Sequence, residues 1–416
     1  MNKLLVIPIL GLILLVIDLY VFQAFRVIAK DKSATWKRTI YLGYWGLTLI
    51  TFMSFLSYNL LPPDTFPRQF RYFMIVGVTI IYFAKLFSVV FLFMDDLLRL
   101  GKKFIGFFIK KEVIDGSESS KITRSQFLAK SAAIAGAIPM VAMTFGIVSG
   151  AHDYRIRRQK LKFPDLPSSF DGLKIIQISD IHSGSFYNKT AVKGGVDMVL
   201  GEKPDVIFFT GDLVNDETRE VKDYVDVFDK VKAPLGVYST TGNHDYGNYR
   251  RWPSEEAKDQ NFKDLIEAHK LLGWDLMMNE HRFLEVGGER IAVIGIENWG
   301  TGRFPKYGKM ELAYPGAESA PVKILLSHDP SHWDAQVRPE YPDIDLMLAG
   351  HTHGFQFGIE AGDFKWSPSQ WMYKQWAGLY QENNQYLYVN RGYGYIGYPG
   401  RIGILPEITV IELQKA

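Results

Sequence analysis

The sequence predicts an N-terminal α-helical transmembrane region followed by an α/β domain. Four apolar segments occupy the first 150 residues, and each has about the twenty residues that a helix needs to cross a bilayer. From residue 173 onward, short apolar runs with the length of buried strands alternate with helical stretches, and antiparallel strands follow. We therefore expect a membrane region over residues 1–150 and a globular domain over residues 151–416.

The four apolar segments are the basis of the membrane prediction. Tyrosine and tryptophan lie near their ends, as in the interfacial belts of membrane proteins. The alternative, buried helices of a soluble protein, fits poorly because such helices are shorter and keep a polar face. The predicted helices cover approximately residues 4–22, 39–61, 72–94 and 131–149, with a basic connector over residues 95–126.

The fourth apolar segment leaves one question open, because it is either a retained anchor or a cleaved signal. The stretch at 123–128 resembles a twin-arginine export signal but has only one arginine, Arg124. Small residues at Ser149, Gly150 and Ala151 suit a signal-peptidase site. A retained helix is the more economical interpretation, since three membrane segments already precede it.

Two ionisable residues, Asp18 and Lys85, interrupt the first and third segments. Ionisable side chains inside a membrane usually face a partner or a cavity. If the spans alternate in direction, the first and third run parallel. Asp18 then lies past the middle of its span and Lys85 slightly past the middle of its own, and we expect them to pair. The alternative is that each side chain reaches the nearer interface separately.

The distribution of basic residues predicts the orientation. Five Lys or Arg residues lie between residues 26 and 38, only two between residues 62 and 71, and seven in the connector. Basic loops stay in the cytoplasm, so the globular domain over residues 151–416 is expected outside it, with the chain integral to the plasma (inner) membrane. Five basic residues between 151 and 163 favour the opposite side if the fourth segment does not cross.

Composition excludes some classes of function. The formal net charge of +2 over 416 residues gives no sign of a nucleic-acid surface. The chain has no cysteine, which rules out disulfides and thiolate metal sites. The apolar segments make the lipid bilayer the expected partner instead.

Polar residues that suit metal binding follow five of the predicted strands. Ligands of open α/β sheets bind outside the carboxyl ends of strands, and five of the nine histidines lie directly after these runs. Singly, each residue has a structural alternative, such as a helix cap, a turn or a buried core histidine. Together they predict one site, made from Asp180 and His182, Asp212, Asn243 with His244 and Asp245, His328, and His351 with His353.

In their order along the chain, these motifs resemble the calcineurin-like metallophosphoesterase family, in its membrane-anchored branch. The resemblance covers about residues 160–413 and implies two packed β-sheets flanked by helices, with two divalent ions such as Mn, Fe or Zn. It implies that Asp180, His182 and His353 hold the first ion. Asn243, His328 and His351 would hold the second, and Asp212 would bridge both.

The resemblance also assigns two catalytic residues, His244 and Asp245. His244 would donate a proton to the leaving oxygen or bind the phosphoryl group. Asp245 would orient His244 by accepting its other ring N–H. Arg391 and Arg401 are weaker candidates for binding a substrate phosphate, with a structural role as the alternative. Phe355 stands where much of this branch has glycine, which bears on substrate scope.

These residues predict a membrane-anchored phosphoesterase that depends on two metal ions and cleaves a phosphodiester, phosphomonoester or pyrophosphate bond. The membrane location suits a lipid-linked substrate. One alternative is an enzyme similar to UDP-2,3-diacylglucosamine pyrophosphatase, facing the cytoplasm. An alternative of another class is a non-catalytic membrane scaffold on a phosphoesterase fold.

Overall fold

The computed structural model describes residues 3–62, 65–108, 124–302, 305–362 and 364–416. The chain divides into two compact units, Met1–Thr144 and Phe145–Ala416. The division lies a few residues before the boundary expected at residue 150, within the last turns of the fourth long helix. Each unit is described by itself below.

The first unit consists of long apolar helices. All four of them are long and apolar enough to cross a membrane, as predicted. The third helix continues well beyond its predicted end at residue 94 and takes in the first part of the predicted connector, whose residues 109–123 lie outside the described ranges. The helices are α1 (Lys3–Ala29), α2 (Ala34–Leu60), α3 (Arg68–Phe108) and α4 (Arg124–Val148).

The predicted pairing of Asp18 with Lys85 is confirmed. Asp18 is fully buried, and its carboxylate forms an ion pair with the Lys85 ammonium group. The same carboxylate accepts hydrogen bonds from the hydroxyls of Thr48, at 3.2 Å, and Tyr82, at 2.9 Å. Charges buried among apolar helices need such partners, because the hydrocarbon core contains no water to solvate them. The cluster ties α1, α2 and α3 together.

The second unit contains fourteen strands and five further helices within the described residues. The strands are β1 (Arg155–Phe163), β2 (Lys174–Ile178), β3 (Val206–Thr210), β4 (Val237–Thr240), β5 (Asp275–Leu276), β6 (Glu280–Val286), β7 (Glu289–Gly295), β8 (Lys323–Leu326), β9 (Leu346–Ala349), β10 (Ile359–Ala361), β11 (Phe364–Trp366), β12 (Gly378–Glu382), β13 (Gln385–Val389) and β14 (Glu407–Lys415). The helices are α5 (Lys189–Gly201), α6 (Val225–Phe228), α7 (Glu255–Leu272), α8 (Met310–Ala313) and α9 (Arg338–Glu340).

Two six-stranded mixed sheets form the body of this unit. The first sheet has the strand order β1-β14-β2-β3-β4-β5, and the second has β12-β13-β9-β8-β7-β6. Strands β2, β3 and β4 run parallel in the first sheet, as do β7, β8 and β9 in the second. The parallel strands occupy the interior of each sheet, so their carboxyl ends gather at one edge.

Apolar side chains of both sheets form a shared core. Along β3, Val206 and Phe208 pack into the core between the sheets, while Ile207 and Phe209 pack on the opposite face with the helices. This period of two is the pattern of a strand that is covered on both faces. A third cluster covers the outer face of the second sheet. The predicted arrangement of two packed sheets flanked by helices is therefore confirmed.

A small antiparallel hairpin, β10 and β11, stands apart from both sheets. The sequence pattern did not predict this hairpin. Each strand is only three residues long, too short for a recognisable hydrophobic period.

Candidate metal centre

Five strand ends bring the predicted ligands together. The loops after β2 and β3 carry Asp180, His182 and Asp212, and the loop after β4 carries Asn243. The loops after β8 and β9 of the second sheet supply the remaining histidines. The two sheets approach closely here: a Cβ on Gly350, at the end of β9, would lie 2.2 Å from an oxygen of the Asp180 carboxylate. Only glycine fits at that position.

Backbone strain is concentrated in these loops. Several of the predicted ligands have a left-handed backbone conformation, which non-glycine residues rarely adopt. Such conformations cost about 1–3 kcal/mol each and persist where the surrounding structure enforces them, typically at functional sites. The residues and φ angles are Asp180 (54°), His182 (49°), Asp212 (60°), His351 (71°) and His353 (49°).

One ligand group consists of Asp180, His182 and His353. Each offers one atom, and these atoms lie within 4.8 Å of one another. The His353 Nε2 atom is 3.2 Å from Asp180 Oδ1 and 3.0 Å from His182 Nε2. All three residues are buried. Two imidazoles and a carboxylate at this spacing form a ligand set that suits a divalent transition metal.

A second ligand group consists of Asp212, His328 and His351. His328 Nε2 lies 3.1 Å from Asp212 Oδ2 and 3.3 Å from His351 Nδ1. The same Asp212 oxygen is 3.6 Å from His182 Nε2, an atom of the first group. Asp212 therefore lies between the two groups, where a bridging carboxylate would stand.

Asn243 supplies the test of whether these residues fit a metal ion. Its Oδ1 atom is buried and has no hydrogen-bond partner among the described residues. Its Nδ2 atom donates to the Tyr249 hydroxyl at 2.8 Å, which fixes the orientation of the amide. A buried carbonyl oxygen without a partner costs about 1–3 kcal/mol, so a cation beside it would remove that cost. The donor set fits a second divalent ion.

Backbone carbonyls orient two of the histidines. His182 Nδ1 is 3.2 Å from the carbonyl oxygen of Val214, and His328 Nδ1 is 2.7 Å from that of Thr210. A carbonyl can only accept, so Nδ1 of each ring carries the hydrogen and Nε2 is the atom offered to the centre. This arrangement fixes the ring and its tautomer as in known metal sites.

Burial and charge shift the pKa values in opposite directions. Burial lowers the pKa of His182, His351 and His353 and favours their neutral, metal-binding form. Burial also disfavours the charged form of His328, but the Asp212 carboxylate outweighs it and raises the pKa of His328 to about 10. The pKa of Asp212 lies well below its usual range, because His328 and His244 outweigh its burial.

His244 is more accessible than the buried ligands around it. Its ring is half-buried and centred 5.0 Å from the His182 ring. The prediction that the Asp245 carboxylate accepts from the ring of His244 is wrong. His244 Nδ1 lies 2.7 Å from the carbonyl oxygen of Asn215, which takes the place expected for the carboxylate.

Asp245 instead holds the backbone of the neighbouring metal loop. Its carboxylate accepts the N–H groups of Asp212 at 2.9 Å, Leu213 at 2.9 Å and Gly242 at 2.8 Å. The residue is fully buried, and its carboxylate is turned toward these amides. Asp245 therefore positions the loop that bears Asp212, which is the correction to its predicted contact with His244.

Arg391 and Arg401 lie in the interior and not on a substrate surface. Arg391 is 3% exposed and donates to Glu360 at 2.6 Å and to Glu407 at 2.5 Å. Arg401 is 1% exposed and donates to backbone carbonyls, including that of Gly394 at 3.0 Å. Its Nη2 atom also lies 3.0 Å from His353 Nδ1. The predicted contact of both with a substrate phosphate is therefore wrong, because their donors already have partners.

Two tyrosines at the centre were missed by the sequence analysis. The Tyr249 ring is centred 4.4 Å from the His244 ring, and its hydroxyl accepts from Asn243. The Tyr373 hydroxyl is 2.7 Å from His351 Nε2. Tyr249 lies a few residues after the motif that contains Asn243, so its place in the sequence could have indicated it. Nothing in the sequence around Tyr373 connects it with the site.

Comparisons with known proteins agree with this geometry. Residues 173–355 match the family described as calcineurin-like phosphoesterase. Residues 2–151 match the domain described as "Probable Calcineurin-like phosphoesterase, transmembrane domain". The uncharacterized metallophosphoesterase YkuE of Bacillus subtilis is 30% identical over 71% of this chain and 99% of its own length. The chain belongs to the calcineurin-like metallophosphoesterase family.

The name of a further relative mentions both a transmembrane protein and a metallophosphoesterase domain. A transmembrane protein with metallophosphoesterase domain from Danio rerio is 30% identical over 67% of this chain, and the match spans 62% of that protein's length. Among solved structures, phosphopantetheinyl hydrolase of Mycobacterium tuberculosis matches 55% of this chain and 91% of its own, with 14% identity and a TM-score of 0.31. That likeness is too distant to bear on substrate. The chain is thus an integral membrane protein of the metallophosphoesterase family.

Proposed function

We propose that this protein is a membrane-anchored phosphoesterase that uses two divalent ions to hydrolyse a phosphodiester, phosphomonoester or pyrophosphate bond. The observation that supports this most strongly is the double ligand set. Two groups of three ligands adjoin each other, with Asp212 close to both. A second observation is the buried Oδ1 atom of Asn243, for which the described part of the chain offers no hydrogen-bond partner.

Each residue of the centre has a proposed role. Asp180, His182 and His353 would hold the first ion, Asn243, His328 and His351 would hold the second, and Asp212 would be shared by both. When bound, two such ions would stabilise charge on phosphoryl oxygens and would activate water near neutral pH. The side chains contribute fixed positions, since carbonyls and strained loops hold them before substrate arrives.

His244 is the proposed proton donor to the leaving oxygen. The carbonyl of Asn215 accepts its Nδ1–H group, so Nε2 is the ring nitrogen that would pass a proton to the leaving oxygen. The ring is half-buried beside the ligands, where a substrate can reach it. Asp245 acts indirectly, by holding the backbone of the Asp212 loop.

We also infer that the domain lies outside the cytoplasm and that its substrate is lipid-linked. The basic loops between the membrane segments support the first inference. Membrane anchoring supports the second, although an anchored enzyme also meets soluble esters. A pyrophosphatase of the UDP-2,3-diacylglucosamine type would require the domain to face the cytoplasm.

Hydrolysis of bis-para-nitrophenyl phosphate by the full-length chain in detergent tests the proposal. We expect activity with Mn²⁺, loss of activity after chelation, and recovery when the ion is restored. An Asn243→Ala variant should lose most of this activity. A chain that binds the ions but hydrolyses no phosphoester would instead support the non-catalytic scaffold.

A further inference from the structure

The β10–β11 hairpin has its polar and apolar faces reversed with respect to an ordinary surface hairpin. Ile359 pairs with Trp366, and Ala361 pairs with Phe364. Directly opposed residues, and residues two apart on a strand, share one face of an antiparallel pair. One face is therefore wholly apolar. The other carries the remaining opposed pair, Glu360 and Lys365.

The polar face points into the domain. The Glu360 carboxylate is 14% exposed, accepts from Arg391 at 2.6 Å, and forms an ion pair with Arg157. The Lys365 ammonium group donates a hydrogen bond to the carbonyl of Ala377. These contacts anchor the hairpin by its charges, so its apolar face is the one that remains toward the surroundings.

The apolar face continues into neighbouring segments. The Trp366 ring is centred 6.2 Å from the Phe357 ring and 6.1 Å from the Trp371 ring. Contiguous exposed apolar surface of this kind marks an interaction site. We call this surface the apolar rim, formed by Phe355 (43% exposed), Phe357 (45%), Ile359 (55%), Phe364 (60%), Trp371 (74%) and Met372 (69%).

The apolar rim is connected to the last turn of the fourth membrane helix. The Gly146 carbonyl in that turn accepts from the backbone N–H of Arg401 at 3.1 Å. The next residue, Ile402, donates to the Gln356 carbonyl at 2.7 Å and accepts from Gly358 at 2.9 Å. The loop that begins the rim is thus bonded to the segment where the chain leaves the apolar helix.

The apolar rim is also continuous with the metal centre. Phe355 is two residues beyond the ligand His353, in the same loop. Met372 directly precedes Tyr373, whose hydroxyl is 2.7 Å from the ligand His351. Two of the segments that form the rim therefore also line the centre.

We propose that the apolar rim inserts into the surface of the bilayer that holds α4, and that the centre cleaves phosphoesters of amphiphiles whose apolar chains remain in that bilayer. The substrate part of this inference rests on the proposed function, whereas the seating of the rim does not. Tryptophan and phenylalanine are the side chains that favour the membrane interface. Continuity with a membrane helix favours the bilayer over a protein partner as the occupant.

Depth-dependent fluorescence quenching tests the seating. The full-length chain lacks cysteine, so a single Phe364→Cys change accepts one environment-sensitive fluorophore without competing sites. In phosphatidylcholine–phosphatidylglycerol nanodiscs, we expect blue-shifted emission and strong quenching by lipids that carry a shallow doxyl group. The control is Leu271→Cys, at a residue 71% exposed on α7, with the same fluorophore and little expected quenching.

Two results would overturn the seating. Equal quenching at both positions would show that the rim does not select the bilayer. Energy transfer between labelled copies that rises with protein density, without lipid quenching, would assign the rim to a second copy of the chain. Both measurements are independent of catalysis.

Two esters with the same leaving group test the substrate class. We compare para-nitrophenyl methyl phosphate in solution with para-nitrophenyl hexadecyl phosphate incorporated in the same proteoliposomes, with Mn²⁺ present. The double variant Ile359→Glu, Phe364→Glu should lose roughly tenfold or more on the hexadecyl ester, since burial of one large apolar side chain is worth about that factor. Its rate on the methyl ester should stay unchanged.

The control for charge is Leu271→Glu with Leu312→Glu, at exposed apolar residues away from the rim. Equal losses on both esters, or none on the hexadecyl ester, would contradict the substrate class. If the unmodified chain cleaves neither ester, the proposed function fails, and the fluorescence result still decides whether the rim meets the bilayer.

Discussion

At the scale of single residues, His244 differs from the other histidines of the centre. Its backbone N–H donates to Asp212 Oδ1 at 2.9 Å, and its ring lies against Tyr249. It is not part of either ligand group. The backbone of His244 is therefore bonded to Asp212, while its ring belongs to neither ligand group and can face a substrate.

The first prediction separates catalysis from metal binding. We expect His244→Ala to keep both metal ions and to lose about 10²–10⁴-fold in rate, the usual contribution of general acid–base catalysis. Elemental analysis and kinetics on the same preparation measure the two effects. The control is His281→Ala, a histidine outside the centre whose Nδ1 also lies by a carbonyl, that of Ala313, at 3.0 Å. Loss of metal from His244→Ala would show that this residue is a ligand.

The sequence predicted which residue types gather at the centre, but not all of their contacts. Asp180 and His353 follow strands whose carboxyl ends meet, so proximity follows from topology alone. The contact of Asp245 depends on the direction in which one short loop turns. In the structure its carboxylate accepts hydrogen bonds from backbone amides and not from an imidazole. Such side-chain directions are set by packing, which no sequence pattern reports.

At the scale of elements, a cluster of charges around Arg391 joins three strands. Arg391 donates to Glu360 in β10 and to Glu407 in β14, and Arg157 in β1 lies 3.7 Å from the same Glu407 carboxylate. Burial lowers the pKa of an arginine, but here the Glu407 and Glu360 carboxylates outweigh burial and raise the pKa of Arg391. The group is thus a buried ion-pair cluster that holds the hairpin and the edge of the first sheet.

The second prediction concerns this cluster. Arg391→Met should destabilise the protein by about 3–5 kcal/mol, because it removes the more buried of the two arginines that pair with Glu360 and Glu407 and leaves only the half-buried Arg157. Arg158→Met is the control, since Arg158 pairs with Glu202 at an exposed position and its loss should cost less than about 1 kcal/mol. Urea denaturation followed by tryptophan fluorescence compares the variants. Equal midpoints would contradict the structural role of Arg391.

The third prediction concerns the pairing of α1 with α3. Reversing the charge of Asp18 or Lys85 alone places two like charges together in a buried site, and we expect little folded protein from either variant. The double change Asp18→Lys, Lys85→Asp restores opposite charges and should recover it. The yield of monodisperse protein in detergent measures the effect. A double variant no better than the single ones would contradict the pair.

Long elements were predictable and the shortest ones were not. The four membrane helices and the buried strands have strong, sustained patterns. The β10–β11 hairpin has six strand residues, and its exposed face is apolar, contrary to the pattern of a soluble surface. The rule that exposed strand positions are polar holds for surfaces that face water. It therefore fails for a hairpin whose exposed face we propose to contact the bilayer.

At the scale of the whole molecule, the side of the membrane decides between substrate classes. The fourth prediction uses Leu271→Cys, an exposed position in this cysteine-free chain. A membrane-impermeant maleimide should label it in intact cells, or in spheroplasts if an outer membrane is present. The control is the unmodified chain, which should not react. Labelling only after lysis would place the domain in the cytoplasm and favour the pyrophosphatase alternative.

The central claim is that two metal ions share Asp212 and together support hydrolysis of a phosphoester. The most direct measurement is a titration of the metal-stripped full-length chain with Mn²⁺, with bound ions and bis-para-nitrophenyl phosphate hydrolysis recorded at each step. We expect two ions per chain, with activity following the second, and neither ion retained by Asp212→Ala. Full activity with one ion per chain, or two ions retained by Asp212→Ala, would contradict the claim.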